Sequence, residues 1–280
     1  MIRVCLIGLG RAGKEIARMV YDRDDMKLVS AICRPNSDKK NKSLGEVIGV
    51  RDFGVFIDSS DNLEKNLINS KPDVIVDFSN SEATINNMSI ISKLGINIII
   101  GTTGFSEGDL KKIENIARLK KFGIIYAPNI TVGVNVLMTL TKISSVLLNN
   151  YDFQITEIHH KHKKDIPSGT AVKIKDEIIN GLKYTGENIS ENIIPINSVR
   201  AGGVVGKHEV LIVGEDDRIT ISHESFSRKI FAAGAIKAIE FIYNKVGFYE
   251  MKEVMNLSKV IEDLFYNNEA IDDIAIDNYK

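Results

Sequence analysis

The sequence predicts an α/β protein in which a doubly wound parallel sheet is joined to a smaller α+β unit with a mixed sheet. Three observations carry this. Through the first half of the 280 residues, short apolar runs alternate with helical stretches. Runs such as Val74-Ile75-Val76 and Ile98-Ile99-Ile100 are apolar on both faces, as strands covered by helices on two sides must be. After Asn129 the rhythm changes, and strands follow one another without intervening helices.

Strands are expected at residues 3–7, 27–32, 55–57, 73–78, 96–100 and 123–126, with helices between most of them, including 14–21, 81–94 and 107–120. The Pro128-Asn129 turn marks a boundary. Beyond it, a helix at 135–148 leads into a long strand at 153–160, and a further helix begins near Ser168. Strands follow at 194–199, 209–213 and 218–223, then a helix at 229–243. Residues 258–280 carry Glu262, Asp263, Glu269, Asp272, Asp273 and Asp277, and read as a solvated acidic end with one helical stretch.

Composition narrows the function. Hydrophobic residues are 44% and charged residues 26%, enough for a packed core and too apolar for disorder. The formal net charge of -1 gives no general attraction to nucleic acid or to an anionic membrane. No apolar run reaches the roughly 18 residues a membrane helix needs, and the N-terminal apolar stretch is too short for a signal peptide. Cys5 and Cys33 read as small core residues of a reducing compartment. A cytoplasmic protein is expected, with its partner sought in local chemistry.

Gly8-Leu9-Gly10-Arg11-Ala12-Gly13 has the spacing G-x-G-x-x-G, directly after the first strand and opening the first helix. Gly8 permits the tight turn, Gly10 lets a pyrophosphate approach the backbone, and Gly13 lets the helix pack on the sheet. Amides at the helix start then meet phosphate oxygens. The sheet is therefore expected to be Rossmann-type and to bind a dinucleotide; the competing reading is a tight structural turn. The second strand ends in Arg34 rather than in the Asp or Glu that would hold a ribose 2′-hydroxyl. A guanidinium suits a 2′-phosphate, so NADPH is expected over NADH. Gly101-Thr102-Thr103-Gly104 and Ala127-Pro128-Asn129 sit at carboxyl ends of expected strands and can accommodate nicotinamide and its ribose.

His159, His160 and His162 are three of only five histidines, interleaved with Lys161, Lys163 and Lys164. Asp165-Ile166-Pro167-Ser168-Gly169-Thr170-Ala171 follows. Ser168 reads as an N-cap, and the free amides of Gly169 and Thr170 form an anion site. The combination suits a small dianion. His159 can supply a proton near neutral pH, and Lys163 can neutralise a carboxylate or donate a proton. Two other readings compete: a solvated basic strand end, and an H-H-x-H zinc site, which the neighbouring lysines oppose. His208 and His223 read as structural.

Glu157 through Ala171 fits the pattern E-x-H-x-x-x-K-x-D-x-P-S-G-T-A, and resembles the signature of the dihydrodipicolinate reductase family. Supporting matches are Asp77-Phe78-Ser79, Gly101–Phe105, Ala127–Asn129, Gly133-Val134-Asn135, Arg200-x-Gly202, Gly206-x-His208 and Arg228-x-x-Phe231-Ala232-x-Gly234-Ala235. The resemblance spans residues 2 to about 257. It implies a dinucleotide-binding domain of residues 1–129 with 241–280, and a substrate-binding and oligomerisation domain of residues 130–240 that builds a homotetramer. It implies hydride delivery from NADPH or NADH to the ring of a cyclic dicarboxylate with loss of water, and no metal. By matched position, His159 is the acid/base and Lys163 the second proton donor. His160, Ser168, Gly169 and Thr170 contact substrate, and Gly101–Thr103 and Ala127–Asn129 contact the nicotinamide side. The glycine loop is one residue shorter than is usual in the family, Ala12 stands where Met is common, and Gln154 stands where Glu is usual. A related reductase with a diverged dicarboxylate substrate and a non-catalytic dinucleotide sensor are the alternatives. A sensor has no reason to keep His159, Lys163 and Ser168-Gly169-Thr170 together.

Overall fold

In the computed structural model, which describes residues 1–186 and 194–266, the chain begins with β1 (Ile2–Ile7) and turns through Gly8–Gly10 into α1 (Arg11–Tyr21). There follow β2 (Met26–Cys33), α2 (Leu44–Ile48), β3 (Ile57–Ser59), α3 (Leu63–Ser70), β4 (Val74–Asp77), α4 (Ser81–Leu94), β5 (Asn97–Ile100), α5 (Glu107–Leu119) and β6 (Gly123–Tyr126). Next come α6 (Val132–Leu147), β7 (Asp152–His159), α7 (Gly169–Tyr184), β8 (Ile196–Arg200), β9 (Gly206–Val213) and β10 (Arg218–Ser225). The described chain ends with α8 (Lys229–Ile242), β11 (Gly247–Glu250), α9 (Met251–Met255) and α10 (Leu257–Tyr266). Glu269, Asp272, Asp273 and Asp277 of the expected acidic end lie outside the described residues.

The first sheet is parallel throughout, in the order β11-β6-β5-β4-β1-β2-β3. Alternate residues of its strands feed two cores. Val4, Leu6, Val74, Val76, Ile99 and Ile125 join the layer under α1 and α8. Cys5, Ile7, Ile75, Ile98, Ile100 and Ile124 join the layer under α3, α4 and α5. This two-sided burial is why the strands read as unbroken apolar runs. Chain order reverses between β1 and β4, and a doubly wound sheet opens its ligand crevice at such a switch point.

The second sheet runs β10-β9-β7-β8; β7 and β8 are parallel and the other pairs antiparallel. Phe153, Ile155, Val210 and Ile212 face α6 and α7, where they meet Leu137, Ile174 and Ile178. Glu157 and His159 share that face by the two-residue repeat of β7. Gln154 lies on the opposite face, away from both, so the departure there leaves the site untouched.

Three expectations are corrected. Ala232, Ala235, Ile236, Ala238 and Ile239 of α8 pack into the core of the first sheet, although residues 229–240 read as part of the second unit. β11 was not expected: it is short, pairs only with β6, and its four residues are half-buried. The third strand lies at 57–59 rather than 55–57, because Phe56 is 60% exposed and forms only an isolated bridge to Ser43.

Candidate active site

Gly8 adopts a φ of +93°, and a Cβ on it would strike the carbonyl of Phe78. A Cβ on Gly13 would strike the carbonyl of Gly8, so glycine there brings α1 down onto the turn. Gly10 is different, with nothing within 4 Å of where its Cβ would be. It is the N-cap of α1 and supplies no side-chain cap, so no N-cap side chain occupies the first-turn amides of the helix. That arrangement fits a pyrophosphate. Arg34 follows the end of β2 with an exposed side chain that has no partner among the described residues.

Phe78 packs its ring over Gly101, where a Cβ would collide with it. Beneath, the buried Asp77 carboxylate accepts from Ser79 N at 2.9 Å, Ser79 Oγ at 2.6 Å and Thr84 Oγ1 at 2.9 Å, and lies 3.4 Å from Thr102 Oγ1. Burial pushes this carboxyl above its ordinary value, and the hydrogen bonds oppose the push. Thr102 is buried while Thr103 is exposed at the loop surface. Ala127 N donates to Ile100 O at 2.9 Å, and Asn129 Oδ1 accepts from Thr170 Oγ1 at 2.7 Å. That last bond ties the end of β6 to the start of α7.

On the opposite side, Ser168 caps α7, its Oγ accepting from Ala171 N at 3.2 Å, as the sequence predicts. A Cβ on Gly169 would meet nothing within 4 Å, and its backbone N–H donates to the Asp165 carboxylate, helping to hold that group below its ordinary value. His159 sits at the end of β7 with Nδ1 hydrogen-bonded to Glu157 Oε2. Burial draws the imidazole below its ordinary value; the bond to Glu157 opposes this, and the Lys163 and Arg200 charges add to it. Lys163 is half-buried and pairs with Asp165 at 2.9 Å. His160 is drawn down by loss of solvent contact and then by the charges of Arg11 and Arg228. Those two guanidiniums stand at the starts of α1 and α8, and neither has a carboxylate partner among the described residues. The histidine turn and the dinucleotide loop therefore face each other.

The predicted site residues thus fall on two walls. Gly8–Gly13, Gly101–Thr103 and Ala127–Asn129 form one; His159, His160, Lys163 and Ser168–Thr170 form the other. A cavity of about 640 Å³, lined by Tyr126–Asn129 and by residues of α6, α7, α9 and α10, shares Ala127–Asn129 with the first wall but contains neither His159 nor the glycine loop. The placement of donors, rather than enclosed volume, locates the chemistry. Sequence reasoning gave no role to Glu157, Arg200, Arg228 or Asp77. Glu157 was discoverable, since two residues' spacing on a strand puts it beside His159; Arg200 was not, being 43 residues from its partner. Among the described residues no group of three or more ligand-type side chains could hold a metal ion.

Comparison with known proteins agrees with these features. Models of the dihydrodipicolinate reductase N-terminus and C-terminus match residues 2–130 and 133–255. A 4-hydroxy-tetrahydrodipicolinate reductase of Methanocaldococcus jannaschii is 37% identical, covering 93% of this chain and 99% of its own. That of Methanopyrus kandleri is 38% identical, covering 91% and 97%. The solved dipicolinate-bound dihydrodipicolinate reductase of Paenisporosarcina sp. TG-14 superposes with a TM-score of 0.72 at 26% identity, covering 90% of this chain and 98% of that one. An amine dehydrogenase of Mycobacterium smegmatis shares the fold alone, at 12% identity and a TM-score of 0.60 over 88% of this chain and 93% of its own. The chain belongs to the dihydrodipicolinate reductase family.

Proposed function

We propose that the protein reduces 4-hydroxy-tetrahydrodipicolinate to tetrahydrodipicolinate with NAD(P)H, in lysine and diaminopimelate biosynthesis. The observation that carries this is the two-walled cleft. An uncapped helix start suited to pyrophosphate faces an imidazole, an ammonium and the Ser168-capped N-terminus of α7, a set of donors suited to a dicarboxylate. When bound, the nicotinamide supplies the hydride. Gly10 and the amides of Arg11, Ala12 and Gly13 hold the phosphates, and Gly101, Thr102, Thr103, Ala127, Pro128 and Asn129 seat the nicotinamide end. Gly169, Thr170, His160 and Lys163 hold the substrate carboxylates, and Ser168 orders the turn that presents them. His159 delivers a proton from Nε2 as negative charge develops on the substrate's conjugated nitrogen system, with Lys163 as second donor.

Arg34 reads the 2′-phosphate, so NADPH is preferred. The enzyme works in the cytoplasm, a reducing compartment that suits the free, buried Cys5 and Cys33. The protein assembles as a homotetramer through the second sheet, whose face bearing Thr156, Ile158, Val199 and Val213 carries no helix among the described residues. A dinucleotide domain of residues 1–129 with the returning C-terminal segment surrounds this substrate and oligomerisation unit.

The test is nucleotide oxidation coupled to dihydrodipicolinate synthase, pyruvate and aspartate semialdehyde. NADPH should be consumed faster than NADH. Arg34→Ala should raise KM for NADPH by about 10- to 100-fold, the loss of a charge-assisted contact of roughly 1.5–3 kcal/mol, and leave NADH nearly unchanged. Equal effects on both nucleotides remove Arg34 from the 2′-phosphate. No turnover with either, in a folded sample that binds nucleotide, leaves the sensor reading ahead.

A further inference from the structure

We propose that Glu157 and Arg200 are the positioning residues of the proton donor, a buried pair that fixes the tautomer of His159 and aims Nε2 at the cleft. The proposal rests on the reading of His159 as that donor. Glu157 is fully buried, and both its oxygens are committed. Oε1 accepts from Arg200 Nη2 at 2.7 Å and Ser168 N at 3.2 Å. Oε2 accepts from Arg200 Nη1 at 2.8 Å and from His159 Nδ1. Burial raises the Glu157 carboxyl, but its hydrogen bonds, led by those of Arg200, outweigh that and hold it at about 2. It is an acceptor, so Nδ1 must carry the proton.

The other ring nitrogen is left for chemistry. A Cβ on Gly206 would come within 3.1 Å of Nε2, so glycine there keeps the space beside it. The remaining groups facing the ring are His208 of β9, in edge contact at 5.1 Å between centroids, and Lys163. Burial, and then the charge of His159, hold His208 down at about 3, so it is neutral and does not compete. Arg200 also donates to Asp165 O at 2.6 Å, and Asp165 pairs with Lys163. One guanidinium–carboxylate pair thereby sets His159, the start of α7 and the lysine turn together. Nε2 first takes a proton from solvent to form the imidazolium. On delivery that Nε2–H bond breaks, its electrons stay on nitrogen, the proton passes to the substrate, and Nδ1–H remains bound to Glu157.

Replacement by glutamine makes a definite prediction. The Oε1 position is faced by two obligate donors, Arg200 Nη2 and Ser168 N. The Oε2 position is faced by one obligate donor and by His159 Nδ1, which can switch to accepting. The Glu157→Gln amide NH₂ therefore turns toward His159 and forces the proton onto Nε2. Such a ring cannot readily become imidazolium.

The experiment uses the full chain with ¹⁵N-labelled histidine, five residues in all, with His159→Gln identifying the signal. Long-range ¹⁵N–¹H correlation should show Nδ1–H at His159 in the wild type and Nε2–H in Glu157→Gln. In the coupled assay Glu157→Gln should lose about 10²–10⁴-fold in kcat with NADPH affinity unchanged, and Glu157→Asp should recover part of it. The alkaline limb of kcat/KM should move to lower pH in Glu157→Gln and to higher pH in Arg200→Met, since the two remove opposite charges from the same ring. A plain structural ion pair would move neither limb. Nε2–H in the wild type, or limbs that stay put or move the same way, overturns the proposal. If Glu157→Gln fails to fold, the wild-type tautomer and the Arg200→Met limb decide it. Nδ1–H in a wild type that does not turn over removes the functional reading and leaves the positioning intact.

Discussion

At the scale of single residues, His159 and Lys163 are four apart in sequence but differ in surroundings. His159 is 8% exposed at a strand end, whereas Lys163 sits in the turn beyond and pairs with an exposed acid. His159→Gln should therefore act mainly on kcat, by about 10²–10⁴-fold, with NADPH affinity by fluorescence titration unchanged. Lys163→Ala should lower kcat and also raise substrate KM, because it removes a carboxylate partner as well as a proton donor. Near-normal kcat in His159→Gln would transfer the acid role to His160 or His162. Loss of NADPH binding in either variant would take this turn off the substrate side. Both residues were legible because imidazole and ammonium chemistry shows in the residue types themselves. Arg200 was not, because only the register of β7 with β8 carries it to Glu157.

At the scale of elements, the three glycines of the first turn do separable work. Gly13→Ala drives a methyl into the Gly8 carbonyl and should break the seating of α1, seen as a lowered thermal midpoint. Gly10→Ala meets empty space at an ordinary negative φ of -74°, so stability should hold while NADPH binding weakens by tenfold or more. If Gly10→Ala binds NADPH normally, the pyrophosphate does not sit on α1. The motif spacing foretold this turn, and two-sided apolar runs foretold most of the first sheet. β11 escaped notice because Gly247-Phe248-Tyr249-Glu250 has no apolar run, and its pairing with β6 is set by tertiary docking of residues far apart in sequence. The allegiance of α8 escaped for a related reason: an apolar stripe announces that a helix is buried without naming the sheet that buries it.

At the scale of the whole molecule, the interior holds acid-sensitive groups. His208 is pushed down to about 3, so between about pH 6.5 and 3 the unfolded chain binds a proton that the folded one refuses. Glu157 acts in the same direction at lower pH, with its folded value at about 2 against an ordinary 4.5. Both contributions are complete above the unfolded values and are lost as pH falls. Asp77, raised by burial, acts in the opposite sense. The fall in unfolding free energy from pH 7 to 4, read from urea titrations, is the net of these contributions. Each proton taken up by the unfolded chain alone is worth about 1.4 kcal/mol per pH unit. The slope between pH 6.5 and 4.5 should be shallower in His208→Asn. An equal slope in that variant would mean His208 is protonated in the native state.

Residues 123–126 find their outer neighbour only at residues 247–250, after the whole second unit has been made. During synthesis the ribosome must release nearly all of the described chain before the nucleotide sheet can gain its edge. Until then the flank of β6, with Ile124 and Ile125, is an open strand edge of the kind that recruits foreign strands. A nascent chain stalled near residue 240 should therefore be the species most in need of a chaperone, and cutting the gene between the two units should yield a first piece that aggregates rather than a small nucleotide-binding protein.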